Sequence, residues 1–543
     1  MVEPQSRFAV NLLTSAAVTP RRSAVPVPKE IELKLEVPPA NLPRLAKIPR
    51  LRALKTPPKS ATEISVYFDT KNRRLHKKGL MLRVRRVGDR YVQTIKSAGH
   101  SDLFECDEWE SEIDGAMPDL RLAQGTALEP LLSRKFCRQL KPVFETRVRR
   151  KTYPLTDGDS AIALTLDRGE IDTGDRSQPL CEIELELKRG HEAELFEVAR
   201  ELTHAVAGQL ALKSKSERGY ELLEDSEAAP VKAVPVDLSR GTSTCDAFKA
   251  IGIACLKQVI DNVPALLAGE PEGVHQMRVG LRRLRAAMSL FADILQDLET
   301  AALKQELKWL TGELGPAREL EVLVTRVVAP VKRRHSRLQG ISSLSRDLTQ
   351  QRAAALARAQ DAARSERFRA LTLDVARWLE AGQWRRPQDD LVRDRGDVPV
   401  EISAADQLTR RFKKIRKEGK MLTRLDARRR HKLRIQAKKV RYASEFFAAV
   451  FPGKKASKRR EKFLSGLESV QDCLGDLNDI AVHENRITAI AGEGRRNRRR
   501  RGSPKRAFAA GLLTGREDAR LDAVLQRATD AHAVLARIKS FWR

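Results

Sequence analysis

Six strand-like segments in the first 240 residues carry an ionisable side chain at every second position, and this pattern restricts the fold more than any other feature. In EIELKLE, Glu30, Glu32, Lys34 and Glu36 share one face while Ile31, Leu33 and Leu35 share the other. In LRVRR, Arg83 and Arg85 alternate with Leu82 and Val84, and Lys96 follows on the next strand. In EWESEI, Glu108, Glu110 and Glu112 alternate with Trp109 and Ile113, and in TRVRRK, Arg147 and Arg149 point together. In CEIELELK, Glu182, Glu184, Glu186 and Lys188 oppose Ile183, Leu185 and Leu187, and Asp167 ends the strand ALTLD. The same alternation predicts that Arg86 and Arg150 face outward. One such strand is an ordinary sheet with a solvated face. Six of them, with acids and bases on different strands, call for enclosure. A closed antiparallel sheet with a polar interior, covered outside by helical stretches such as 192–206, meets that requirement and leaves no exposed edge.

Carboxylates clustered in such an interior repel one another unless a cation stands between them. An oxygen-only donor set points to Mg²⁺ or Mn²⁺. Facing arginines and lysines suit a phosphate, whose oxygens match the guanidinium fork. The chain has no Walker-type glycine loop and no Ser/His/Asp or Cys/His arrangement for a covalent intermediate.

The opening EIELK matches the E-x-E-x-K signature of the CYTH domain, the triphosphate tunnel metalloenzymes. LRVRR, TIK, EWE, TRVRRKTY, LDRG, CEIELEL and KSKSERGY follow in that family's order across about residues 28–222. The resemblance implies an eight-stranded antiparallel tunnel that holds a linear triphosphate and metal ions. It implies Lys34, Arg83, Arg85, Lys96, Arg147, Arg149, Lys213 and Lys215 as triphosphate ligands. It implies Glu30, Glu32, Asp167, Glu182, Glu184 and Glu186 on the metal side, with Glu32 and Lys34 orienting the attacking water and handling its proton. Glu108 and Glu110 are read as ligands or as carboxylates that orient the basic residues.

The second half reads differently. Residues 226–240 (SEAAPVKAVPVDLSR) are a Pro/Ala-rich break, which divides the chain into an extension (1–27), a strand-rich domain (28–225), a linker (226–240) and a helical domain (241–543). Residues 1–240 hold 40 Lys and Arg against 36 Asp and Glu, whereas the remaining 303 hold 62 against 36. Nearly all of the excess charge therefore lies in the helical part, where it should attract a polyanion. Aromatic residues are 5% of the chain, which weighs against the stacking platforms of single-strand nucleic-acid binders. The six cysteines show neither C-x-x-C pairing nor metal-ligand spacing, as expected of a chain in a reducing cytoplasm. No uninterrupted apolar stretch reaches the length of a membrane span, so no membrane partner is expected, and RRNRRRRGSPKR at 495–506 reads as an exposed basic loop.

The helical part contains an internal repeat. VHQMRVGLRRLR (274–285) parallels RHKLRIQAKKVR (430–441), and LGPARELEV (314–322) parallels LGDLNDIAV (474–482). His275, Arg278, Arg282 and Arg285 match His431, Arg434, Lys438 and Arg441 at spacings of 3, 4 and 3. That spacing puts each set on one helical face about 15 Å long, while Val274, Met277, Leu281, Leu284, Met288, Phe291 and Leu295 form a separate core stripe. Arg283, Lys432 and Lys439 are weaker members, and Arg318 stands where the second copy has Asn478. These motifs, over about 241–490, resemble CHAD domains. The resemblance implies two four-helix bundles related by an approximate twofold, which bring both stripes onto one surface that binds inorganic polyphosphate.

The expected fold is thus α+β: an antiparallel eight-stranded β-tunnel with outer helices, followed by an all-α domain. CYTH followed by CHAD resembles the bacterial inorganic triphosphatases and implies metal-dependent hydrolysis of tripolyphosphate beside a polyphosphate dock. Turnover of an organic triphosphate (ATP or thiamine triphosphate), non-catalytic polyphosphate binding and nucleic-acid binding remain the alternatives.

Overall fold

The computed structural model describes residues 29–54, 56–98, 104–157, 159–226, 228–335, 337–493 and 504–543. The N-terminal extension and residues 494–503, which include 495–503 of the basic stretch, lie outside the described residues.

The first half is one antiparallel sheet. Its strands are β1 (Lys29–Glu36), β2 (Lys59–Asp69), β3 (Leu80–Val87), β4 (Arg90–Ala98), β5 (Glu105–Ile113), β6 (Lys141–Asp157), β7 (Ser160–Asp172), β8 (Ser177–Arg189) and β9 (Gln209–Ala211). They run in the order β5-β4-β3-β2-β6-β7-β8-β1-β9, and β1 also pairs with β5. That last pairing, Glu30 opposite Cys106, joins the ends of an eight-strand circuit. Among the described residues the sheet therefore has nine strands where eight were expected. The ninth is a three-residue addition along β1, short enough to carry no motif.

Outside the circuit, Leu33, Leu35, Ile183 and Leu185 are fully buried. They pack against α1 (Glu192–Val206), whose Leu195, Phe196, Ala199 and Leu202 point back at them. α2 (Lys215–Glu224) starts at a capping box, in which Ser214 accepts from the Glu217 amide and Glu217 from the Ser214 amide. Its Tyr220 and Leu222 join Tyr67, Phe144, Val148, Ile171 and Leu180 in an apolar plug at one end of the tunnel. Gly219 allows that approach, because a Cβ there would lie 2.2 Å from the Phe144 ring.

The second half is helical: α3 (Thr244–Ile260), α4 (Pro271–Leu290), α5 (Leu298–Val322), α6 (Gln339–Arg364), α7 (Glu366–Ala381), α8 (Val400–Gly419), α9 (Ala427–Phe446), α10 (Lys454–Glu493), α11 (Pro504–Asp518) and α12 (Leu521–Arg537). Helices α3, α4, α5 and α7 form one four-helix bundle and α8, α9, α10 and α12 another, while α4 meets α9 and α6 meets α11 across the halves. The core stripe of α4 is buried as its spacing predicts, with Val274, Met277, Leu281, Leu284 and Met288 each at most 2% exposed.

One apolar core runs through both halves. α1 lies on α7, tied by Arg200 to Asp374 (2.5 Å) and His204 to Glu366 (2.7 Å). The Pro/Ala-rich segment is pinned to the helices, with Asn262 accepting from the Val231 amide at 2.9 Å and donating to its carbonyl at 2.8 Å. Although Asp246, Lys249, Lys257 and Asp261 interrupt it, Thr244–Leu267 is by length and composition long and apolar enough to cross a membrane (mean hydropathy 1.4); 78% of that window is buried inside the molecule.

Candidate functional site

The lumen is built by strand parity. β2 sends Glu63 and Ser65 inward, β3 Arg83 and Arg85, β4 Thr94 and Lys96, and β5 Glu108 and Glu110, as the cross-strand partners show. Arg83 lies 3.7 Å from Glu108 and 3.9 Å from Glu110. Arg85 lies 3.7 Å from Glu63 and 3.8 Å from Glu110, and Lys96 lies 3.2 Å from Glu108. The two carboxylates of β5 thus hold the basic row in place. The Nε atoms of Arg83 and Arg85 are buried without a hydrogen-bond partner, a costly state for a donor.

Opposite stands a carboxylate cluster. One oxygen each of Asp167, Glu182 and Glu184 lies within 4.8 Å of the others, and all three residues are buried. The Lys215 ammonium sits among them, 2.8 Å from Asp167, 2.7 Å from Glu184 and in an ion pair with Glu182. Arg150 closes the other side, donating to both oxygens of Asp167 (2.8 and 2.6 Å) and to Glu184 at 3.0 Å. Cations between the carboxylates were expected from metal alone; the chain supplies two of its own.

Burial alone would lower the Lys215 and Lys34 pKa values, but the facing carboxylates outweigh it and push both up. For Lys34 these are Glu32, which accepts its proton at 2.5 Å, and Glu184. Burial raises the Glu182 carboxyl, and Lys215 with Lys34 and Arg150 pulls its neighbour Glu184 far down despite burial. Neither Glu182 oxygen has an aligned hydrogen-bond donor. A buried all-oxygen set, in which Glu182 meets Lys215 and Arg218 as ion pairs without an aligned hydrogen bond, fits a hard divalent cation.

Several expectations need correction. Arg147 and Arg149 are exposed on the outer face, where Arg147 donates to Glu145 at 2.6 Å. Arg150, expected outside, is the inward residue. The tunnel is apolar at its plugged end, so Val148, paired with Glu63 of β2, faces inward, and assigning it to the exterior shifts β6 by one residue. Arg86 is exposed as predicted. Lys213 turns to Glu221 at 2.6 Å and Glu186 to Lys188, so neither joins the cluster. The Glu30 side chain lies outside the described residues. Glu63, only 7% exposed, was missed although Glu63, Ser65 and Tyr67 alternate with Ile64, Val66 and Phe68. Arg218, 3.5 Å from Glu182, was missed too.

In the helical half, the stripes of α4 and α9 meet. Burial, then Arg282 and Arg434 from the two copies, pushes Lys438 down to about 7. Burial and Arg282 also lower Arg434. His275 falls to about 4 through burial and Arg318, which places Arg318 in the patch. In the second copy the matching His431 is hydrogen-bonded to Asn478. The paired glycines of the LG motifs lie under the paired arginines: Gly315 beneath Arg278 and Gly475 beneath Arg434. Arg282 and Arg434 each keep a buried Nε without a partner. Arg283 is buried and bonded to Gln258 (3.3 Å), whereas Lys439 is half-buried and donates to the neutral Ser289 hydroxyl (2.9 Å). Arg441 is bonded to Glu445 at 2.9 Å.

Fold and site together define a charge-lined β-tunnel with its own plug helix, joined to a duplicated helical module that presents a basic surface. The CYTH family model matches residues 28–220 and the CHAD family model residues 250–488; the chain carries a CYTH domain followed by a CHAD domain. The inorganic triphosphatase of Haemophilus influenzae is 30% identical over 211 residues, which cover 36% of this chain and 55% of that protein. The chain thus spans about half the length of the curated relative it matches. The crystal structure of the CHAD domain from the plant Ricinus communis matches with a TM-score of 0.48 and 27% identity, over 57% of this chain and 98% of that one. A putative adenylyl cyclase from Hippeastrum, described as having a dominant triphosphatase activity, matches with a TM-score of 0.29 and 20% identity, over 35% and 95%.

Proposed function

We propose that the tunnel hydrolyses inorganic tripolyphosphate to pyrophosphate and phosphate with Mg²⁺ or Mn²⁺, and that the α4–α9 surface holds longer condensed phosphate. The observation that carries the reading is the facing of two unlike rows across one lumen: Arg83, Arg85 and Lys96 against Asp167, Glu182 and Glu184. A plain anion dock has no use for three buried carboxylates. The matched inorganic triphosphatase supports the choice of substrate.

In this reading Arg83, Arg85 and Lys96 hold the phosphate chain, and the unpartnered Nε groups gain acceptors on its oxygens. Asp167, Glu182 and Glu184 would hold the metal, which when bound neutralises phosphate charge and makes water a stronger nucleophile. Arg150 aims Asp167 and Glu184, and Lys215 with Lys34 and Arg150 keeps Glu184 ionised despite its burial. Water attacks a terminal phosphorus: a new P–O bond forms, the bridging P–O bond breaks, and pyrophosphate leaves. The water proton passes to the Glu32 carboxylate, which Lys34, held protonated, orients. Arg83 and Arg85 stabilise the charge that builds on the leaving pyrophosphate.

The test offers the full chain, with Mg²⁺ or Mn²⁺, tripolyphosphate, ATP and thiamine triphosphate in parallel. Fastest turnover of tripolyphosphate is expected. Preference for either organic triphosphate overturns the substrate, and no turnover of any leaves a binding protein.

A further inference from the structure

The helical halves repeat at an offset of 156 residues: Thr244 and Val400 (400 − 244), Pro271 and Ala427 (427 − 271), and Leu298 and Lys454 (454 − 298) start matching helices. Each residue of α4 therefore has a counterpart on α9, and the departures from symmetry are informative. Arg285 corresponds to Arg441. One turn beyond Arg441 stands Glu445, which accepts its Nε at 2.9 Å; one turn beyond Arg285 the counterpart is Ser289.

The surroundings diverge in the same sense. Beside Arg441, Glu468, Asp472 and Asp476 of α10 stand near one another, and burial together with these neighbours raises the Asp472 carboxyl. That end is walled by acids. At the other end Ser289 gathers cations: its hydroxyl accepts from Lys439 at 2.9 Å and its carbonyl from Arg411 at 2.6 Å. Burial, then Arg411, Arg285 and Lys414, lowers the Lys439 ammonium. The first-half counterparts of Arg411, Lys414 and Lys439 are Cys255, Gln258 and Arg283. There Arg283 is only 3% exposed, bonded to Gln258 and laid over the Phe446 ring at 5.2 Å. Four cations therefore converge at one end of the stripe; at the other, Arg441 is paired with Glu445, Arg283 is buried, and Cys255 and Gln258 fill the remaining two places. The acids in reach are few: Asp293 and Asp406 are engaged by Arg410 (3.8 and 2.7 Å), and Glu418 lies 3.8 Å from Lys414.

We propose that a condensed phosphate chain longer than the shared patch leaves it in one direction only, over Arg285, Lys439, Arg411 and Lys414, and is turned away at Arg441 by the acids of α9 and α10. This rests on the reading of the patch as a condensed-phosphate site. A linear polyanion with one charge per repeat suits a row of separate cations, since each contact releases a counterion.

The test measures binding of long-chain polyphosphate by the full chain, with tripolyphosphate hydrolysis as the fold control. Ser289→Glu imports the acid of the second half, and Lys414→Glu reverses a side chain that is 56% exposed. Each should weaken long-chain binding about tenfold and flatten its salt dependence, with hydrolysis unchanged within about twofold. Glu445→Ser should leave binding equal or tighter. Full-strength binding by both Ser289→Glu and Lys414→Glu overturns the proposal, as does a loss from Arg441→Ala equal to that from Lys414→Glu. If the unmodified chain binds no long polyphosphate, the patch reading itself falls. If duplex DNA binds as tightly at equal salt and loses as much in Lys414→Glu, the occupant is nucleic acid and the phosphate assignment is wrong.

Discussion

The tunnel and the helical patch both concentrate cations, yet they treat them in opposite ways. In the tunnel, Lys34, Lys215, Arg83 and Arg150 are all pushed up, because carboxylates of the same lumen, joined at Arg83 by Tyr67 ahead of Glu108 and Glu110, outweigh the cost of burial. In the patch, His275, Arg278, Arg318, Arg434 and Lys438 are all pushed down, because burial is joined by neighbouring cations, which for Arg434 and Lys438 include Arg282 of the other repeat. The cations of the tunnel are compensated from within by Glu63, Glu108, Glu110, Asp167, Glu182 and Glu184. The patch is left electrostatically unsatisfied by the fold, and an anion relieves it. A site preorganised in this way suits chemistry, and a site that gains stability from its ligand suits retention.

Among single substitutions the largest effect should come from Arg150. Arg150→Ala strips Asp167 and Glu184 of their partner, and breaking a buried ion pair this way costs about 3–5 kcal/mol. A fall of about 10²-fold or more in kcat/KM for tripolyphosphate is expected. Arg147→Ala, on the same strand but outside, should change activity by no more than about twofold. Equal losses in the two would undo the inward assignment of Arg150.

Next is Lys438. Lys438→Met removes a repelled cation, so the melting temperature at pH 6.5 should rise by about 2–4 °C for each kcal/mol relieved, while polyphosphate binding weakens about tenfold. A drop in both would show that the patch is not strained.

The pH dependence follows from the same residue. With its pKa near 7 in the free protein, Lys438 is charged below that pH and mostly neutral above it. Polyphosphate binding above pH 7 must then take up a proton, and affinity should fall about tenfold between pH 6 and 8.5. Stability moves the other way. An unfolded lysine keeps its proton to about 10.4, so between about pH 7 and 10 the unfolded chain binds more protons and this residue's contribution to stability rises with pH.

The smallest effect separates the two LG glycines. A Cβ on Gly315 would lie 3.2 Å from Arg278, whereas one on Gly475 meets Arg434 at 3.8 Å, an ordinary contact. Gly475→Ala should stabilise the helix by up to about 1 kcal/mol without loss of binding, and Gly315→Ala should weaken polyphosphate binding about twofold.

Most of the architecture was legible because strand period and helix period are written in residue type. The ionic rows of β1, β3, β5 and β8 and the matched stripes at 275–285 and 431–441 follow from spacing alone. Failures arose where a local rule met a tertiary exception. On β6 the choice among Arg147, Arg149 and Arg150 depended on Val148, which faces inward only because α2 makes one end of the lumen apolar. The resemblance implies Lys215 as a phosphate ligand, yet its place among three carboxylates depends on how α2 docks, which no local pattern encodes. Arg318 joins the patch because α5 crosses α4 beside His275, a contact invisible to the periodicity of either helix.

The central claim is that two differently compensated charge sites do separate work, and a crossed pair of variants tests it most directly. Tripolyphosphate hydrolysis and long-chain polyphosphate binding are measured side by side on Glu182→Gln/Glu184→Gln and on Arg282→Ala/Lys438→Ala. The account predicts that the first loses hydrolysis by about 10³-fold and keeps binding, and that the second loses binding and keeps hydrolysis. Loss of both activities in either variant would contradict it.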